Sequence, residues 1–167
     1  RVAVMIGGDN RRYKISYDMA KHMAQQLAAF AAANNANLIL VPSRRCPATV
    51  LKYLQTSLPS DRFMIDNNSP TNPYPGVLTM ADAVIVTSDS VNMASEAAST
   101  GKPVLIAYWQ AETGRIAKFH QTMHDSNHTA PLTQILPPGP FTPLDESAMI
   151  RQHINAFYMR QSPRRAG

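Results

Sequence analysis

The sequence predicts a doubly wound, Rossmann-like α/β domain with a parallel sheet, on three observations. Five short, uniformly apolar runs are separated by segments whose apolar residues recur at helical spacing. Strands without polar alternation are covered on both faces, which is the habit of parallel sheets. Finally, 167 residues at 44% hydrophobic content suffice for one core, so residues 1–167 form a single domain. The right-handed crossover rule makes the doubly wound sheet the default arrangement.

The elements follow in order. "VAVMIGG" is a strand ending in Gly7-Gly8. Ser16 caps a helix whose Met19, Met23, Leu27 and Phe30 share one face. "NLILVPS" is the second strand, and "PATVLKYLQTSL" a helix opened by Pro47, where a missing N–H costs nothing. "RFMID" is the third strand; "NNSPTNPYPG" is a loop, and "VLTMA" a short helix. "DAVIVTS" is the fourth strand, "VNMASEAAST" a helix stopped by Gly101, and "PVLIAYW" the fifth strand. Beyond Trp109 the pattern loosens: "GRIAKFHQTMHDSNH" reads as a helix, "PPGPFTP" as an irregular connection, and "LDESAMIRQHINAFYMR" as a last helix with an apolar stripe of Ile150, Ile154 and Phe157. The start at Arg1, almost inside a strand, predicts a piece of a longer protein.

Charge and composition narrow the function. The net charge is +5, and 11 of the 16 basic residues are Arg, the side chain that pairs bidentately with phosphate. A phosphorylated ligand or an acidic surface is therefore favoured, whereas nucleic acid is disfavoured because no basic stripe interleaved with aromatics occurs. The single cysteine, Cys46, excludes an internal disulfide and fits a reducing, cytoplasmic compartment. No apolar run reaches the roughly 18 residues of a membrane span.

In this architecture the carboxyl ends of the strands converge on one edge, where ligands bind. The first strand delivers Gly7, Gly8, Asn10, Arg11 and Arg12; the second delivers Ser43, Arg44 and Arg45; the third leads to Asn72 and Tyr74. The fourth delivers Ser88, Asp89, Ser90, Asn92 and Met93, with Glu96 further along its helix. Ser88 and Ser90 flank a helix N-terminus suited to a diphosphate. One diphosphate touching both the glycine turn and the hydroxyl-rich turn requires strand order 3-2-1-4-5. A dinucleotide fingerprint is absent, since Gly-Gly is followed by charge and not by a helix, although Ser43-Arg44-Arg45 keeps an NADP-binding alternative open. No Walker loop occurs. Asp89 has no second acid two residues away, so a metal-dependent transferase is not evident and no metal or other cofactor is expected. His120, His124 and His128, at steps of four, raise zinc ligation as an alternative, and His120 is a candidate for a catalytic role at the cleft.

These residues carry a resemblance. Ser95-Glu96-Ala97-Ala98-Ser99-Thr100-Gly101-Lys102-Pro103 is similar to the Ser-Glu, small-residue, Gly-x-Pro segment in the nucleotide-binding lobe of GT-B glycosyltransferases, where the glutamate holds the ribose hydroxyls. "IGGDNRRY", "SRRCP", "NPYPGVLTMADAVIVTSDSVNMASEAASTGKPV" and "GRIAKFH" together resemble the mitochondrial fission protein family named for elongated mitochondria. The resemblance implies the C-terminal lobe of a GT-B fold, a nucleotide-diphosphate sugar as substrate, an N-terminal lobe of the same protein as partner, and a ribose-binding role for Glu96. It also implies a peripheral contact with the inner face of a membrane. Two functions follow: a metal-independent glycosyltransferase, or a non-catalytic adaptor, as the plant member is when it helps bring a dynamin-related protein to mitochondria.

Overall fold

A computed structural model describes residues 1–60, 62–65 and 73–145. Six parallel strands, β1 (Val2–Ile6), β2 (Leu38–Pro42), β3 (Phe63–Ile65), β4 (Ala83–Thr87), β5 (Val104–Ala107) and β6 (Ala130–Pro131), form one sheet in the order β3-β2-β1-β4-β5-β6. The first five stand in the order expected from the sequence. The sixth pairs Leu105 with Ala130 and Ile106 with Pro131, a register too short to leave a periodic signal.

Among the described residues five helices connect the strands: α1 (Tyr17–Ala33), α2 (Ala48–Ser57), α3 (Tyr74–Met80), α4 (Val91–Ser99) and α5 (Gly114–Asp125). Ser16 caps α1 by accepting from the Met19 N–H, and the apolar face of α1 buries Met23, Leu27 and Phe30. Pro47 is the capping residue of α2 and not its first helical residue. Gly101 stands at φ +70 just past α4, a left-handed stop where a side chain would be strained.

Alternation along each strand sorts the core into two layers. Val2, Val4, Ile6, Leu38, Leu40, Ile85 and Leu105 pack with α1, α2 and Trp109. Ala3, Met5, Val41, Val84, Val86, Val104 and Ile106 pack with α3 and the small face of α4, Ala94 and Ala97. The sheet is thus covered on both sides, and its carboxyl edge is left for the loops.

Three expectations are corrected or lie elsewhere. The helix before β4 starts at Tyr74 and not at Val77, so Tyr74 occupies a helical position instead of a loop. The α5 helix ends at Asp125, and Asn127 takes φ +56, which removes His128 from the helix. The expected helix over 144–160 lies outside the described residues apart from Leu144 and Asp145, as does Asn72.

Candidate functional site

Asp89, immediately past β4, is the first organiser of the strand-end rim. Its side chain is fully buried and takes the Gly8 N–H at 2.9 Å, the Thr87 hydroxyl at 2.7 Å and the Trp109 indole N–H at 2.9 Å. These donors come from the ends of β1, β4 and β5. Arg45, beyond β2, stands 4.0 Å from the same carboxylate. An ionised carboxylate only accepts and has two oxygens with which to do so, and here one acid fastens three strand ends. Asp89, expected as a ligand contact, has both side-chain oxygens engaged within the protein.

The glycines have the same explanation. A Cβ on Gly7 would collide with the Asp89 carboxylate, and one on Gly8 with the backbone of Arg45. The Gly7 N–H donates to the Thr87 hydroxyl at 2.7 Å. Close approach of protein atoms by itself demands glycine at both positions.

A second acid, Glu112, organises the other side. It lies between β5 and α5 with its side chain 2% exposed, and it pairs with Arg12 at 2.8 Å. The Tyr13 hydroxyl donates to it at 3.2 Å and the Ser88 hydroxyl at 2.8 Å. Arg12 also reaches the Thr113 carbonyl at 3.0 Å. Burial, with the charges of Glu112 and then Asp89 behind it, pushes the Tyr13 phenol well above its ordinary value. Arg12 and Ser88, both expected to meet phosphate, are therefore committed to Glu112 in this structure. No local motif marks Glu112 in the sequence, since its partners Arg12, Tyr13 and Ser88 stand 100, 99 and 24 residues away.

Arg11, another of the predicted cations, has a different setting. With Asp9, Asn10, Lys14 and Arg45 it lines an open basin of about 720 Å³. Lys14 pairs with Asp9 at 3.1 Å, and that contact, after the Ile15 N–H, holds the Asp9 carboxyl below its usual range. Arg11 and Arg44 are exposed and make no ion pair among the described residues. The Asn10 carbonyl oxygen accepts from the Arg12 and Tyr13 N–H groups, while its Nδ2 is buried without a partner among the described residues. Ser43 accepts from the Arg45 N–H at 3.3 Å and so shapes the turn that presents Arg44 and Arg45.

On the α4 side, Ser90 caps the helix by accepting from the Met93 N–H at 3.4 Å. Asn92 and Glu96 are exposed on the helix surface and Met93 is half-buried. Tyr74 and Glu96, 22 residues apart in sequence, are brought together: the phenol is raised above its ordinary value first by burial, then by its hydrogen bond to Glu96 and by that charge. Two of the predicted site residues thus form one pair.

His120 is 2% exposed and donates from Nε2 to the Ser88 carbonyl at 2.8 Å. It supports the rim from behind, with no exposed face on the cleft. His124 and His128 are likewise tied to backbone carbonyls, those of Thr129 at 3.1 Å and Thr142 at 2.8 Å. Among the described residues no group of three His, Cys, Asp or Glu side chains is arranged to hold a metal.

The sheet order defines a doubly wound, Rossmann-like lobe. The fold is shared with a putative UDP-N-acetylglucosamine 2-epimerase from Listeria monocytogenes, at TM-score 0.56 and 14% identity over 96% of this chain and 37% of that one. It is shared more loosely with the MAR1 ribonuclease of Caenorhabditis elegans, at TM-score 0.50 and 10% identity over 80% of this chain and 77% of that one. At such identities the likeness is one of fold alone. Sequence supplies the family: residues 1–158 match Mitochondrial fission ELM1, and the chain belongs to that family. It is 33% identical over 125 residues to the Mitochondrial fission protein ELM1 of Arabidopsis thaliana, covering 74% of this chain and 29% of that protein. It is 34% identical over 109 residues to the uncharacterized protein RP120 of Rickettsia prowazekii, covering 64% of this chain and 31% of that protein. The chain thus spans about three tenths of the length of these curated relatives. No helix of the described residues is long and apolar enough to cross a membrane.

Proposed function

We propose that this chain is the nucleotide-sugar-binding lobe of a metal-independent GT-B-type glycosyltransferase, with the acceptor and the base that deprotonates it held by another lobe. The observation that carries the reading is the basin lined by Arg11, Lys14, Arg45 and Asn10 at the carboxyl ends of β1 and β2, where Arg11 has no ion pair among the described residues and the exposed Arg45 stands 4.0 Å from Asp89. A diphosphate supplies the acceptors those groups lack. Glu96, beside Tyr74 on the α4 surface, is the carboxylate suited to ribose hydroxyls, in keeping with the Ser-Glu and Gly-x-Pro segment. The Listeria neighbour, a putative UDP-N-acetylglucosamine 2-epimerase, is in keeping with the same ligand class.

One observation favours a second reading. The Gly7 and Gly8 N–H groups, the Ser88 hydroxyl and Arg12 are all spent inside the protein, which leaves fewer phosphate donors than the sequence promised. A lobe sealed in this way suits an adaptor in membrane or organelle division that has given up transfer. Calorimetric titration with UDP and GDP sugars separates the two. For the transferase lobe, Glu96→Gln is expected to weaken binding about tenfold, the equivalent of one charge-assisted hydrogen bond. Absence of binding to any nucleotide sugar by the protein in which this lobe is joined to its partner lobe would establish the adaptor instead.

A further inference from the structure

The expectation against nucleic acid rests on the absence, along the sequence, of aromatics interleaved with basic residues. The fold brings together what the sequence holds apart. Asp9 ties the start of α1 and the turn after β2 to one point: its carboxylate accepts from the Ile15 N–H at 2.9 Å and pairs with Lys14 at 3.1 Å, while its own N–H donates to the Arg45 carbonyl at 3.1 Å. Tyr17, the first residue of α1, thus stands two residues past an anchored position at the lip of the basin. Tyr53 arrives from α2, and its ring meets that of Tyr17 edge to face, with centroids 4.8 Å apart and planes at 68°.

This contact leaves Tyr17 64% exposed. Cations surround the pair: Arg11, Lys14 and Arg45 line the basin, Arg44 adjoins Arg45 in the chain, and Lys21 lies one turn along α1 from Tyr17, all of them exposed. Within residues 9–21 and 43–53 the acids are Asp9, held by Lys14, and Asp18.

The partners that suit a basic surface differ in what they ask of the rings. An acidic peptide engages the cations and leaves the rings idle. An anionic membrane calls for apolar side chains protruding beside the cations, whereas the other exposed large apolar residues, Met80 and Ile135, lie on α3 and in the connection after β6. Single-stranded nucleic acid uses both features, because its phosphodiesters pair with guanidinium and ammonium groups and its unpaired bases offer faces to aromatic rings. A duplex hides those faces.

We propose that the lip of the basin is a binding surface for single-stranded nucleic acid, in which Tyr17, backed by Tyr53, stacks a base while Arg44, Lys21 and the basin cations follow the phosphates. The surface shares the basin with the diphosphate reading but rests on the tyrosine pair, which that reading does not use.

Fluorescence anisotropy of a labelled oligothymidylate of about ten nucleotides, titrated with the whole chain, tests the surface. Saturable binding is expected, weakening roughly twentyfold between 50 and 200 mM salt, as when about three phosphates are neutralised. Tyr17→Ala should weaken it about tenfold and Tyr17→Phe should retain it, since a base stacks on the ring and not on the hydroxyl. Arg44→Ala should weaken it and flatten the salt dependence. The proposal is overturned if the oligonucleotide does not bind, or if Tyr17→Ala binds it as tightly as the parent. It is also overturned if polyglutamate or vesicles of phosphatidylglycerol displace the oligonucleotide as well as unlabelled oligothymidylate does, which would mark a surface for acidic peptides or membranes. Calorimetry with UDP sugars keeps the two readings apart: a parent that binds the oligonucleotide and no nucleotide sugar sinks the transferase lobe alone, and a loss of UDP-sugar binding in Tyr17→Ala would overturn the present proposal by giving the ring to the nucleotide's own base.

Discussion

Around Asp89 and Glu112 the strand-end loops are knitted together by buried carboxylates. A few residues away, around Asn10, Arg11 and Arg45, similar loops present exposed cations to an open basin. Both regions are built from the turns that follow parallel strands, and both are rich in polar side chains. What differs is the number of acceptors within reach. Where an acid is buried, the neighbouring donors converge on it and the rim becomes structural; where none is, the donors face outward and the rim is available to an anion. The pair teaches that an arginine at a strand end is a ligand residue only after the protein's own carboxylates have been counted.

Breaking the sealed side should produce the largest effect. Asp89→Ala strands the Gly8 N–H, the Trp109 indole N–H and the Thr87 hydroxyl, so a loss of about 3–5 kcal/mol is expected, read as a fall in the urea midpoint. A loss under about 1 kcal/mol would mean that the carboxylate is not the fastener described here.

Glu112→Gln should cost less, about 1–2 kcal/mol, because Arg12 is one third exposed and regains water. The same change should strengthen UDP binding a few-fold at low salt, since it removes a negative charge and releases Arg12 towards the rim. Weaker UDP binding in Glu112→Gln would show that Glu112 positions Arg12 for the anion instead of withholding it.

The pH dependence sharpens the same contrast. Burial, aided by the charges of Asp89 and Asp9, pushes the Cys46 thiol from 9.0 to about 11. Its contribution to stability is therefore complete below about pH 9 and lost as the pH rises to about 11, because the unfolded chain ionises first. Tyr13 acts in the same direction from pH 10 upward. Alkaline melts should accordingly show stability falling above pH 9, and the fall should be shallower in Tyr13→Phe.

On the open side the effect on stability should be smallest. Arg45→Ala is expected to shift stability by no more than about 0.5 kcal/mol, as exposed charges generally do. UDP binding should nonetheless weaken about tenfold, with the difference narrowing as salt is raised. A large loss of stability in Arg45→Ala would erase the distinction between the two sides.

The sequence by itself determined the order of the first five strands and the helices between them, the cap at Ser16, the stop at Gly101 and the placement of residues 7–12, 43–45 and 88–90 on one edge. Each of these rests on local signals: apolar period, side-chain capping, a glycine that tolerates positive φ, and a handedness rule that converts element order into neighbours. The sequence also resolved the family, because its segments stand in a fixed order along the chain. Tertiary structure alone decided which arginine is spent and which is not. Arg11 and Arg12 are adjacent and chemically identical, yet Glu112, 100 residues after Arg12, claims one of them. The same holds for Gly7 and Gly8, whose need for a missing side chain comes from Asp89 and Arg45 pressing against them. It holds also for Tyr74 and Glu96, which meet only because α3 and α4 cover the same face. Pairing of charges and exclusion of side chains are contacts across long sequence separations, and no local pattern encodes the partner.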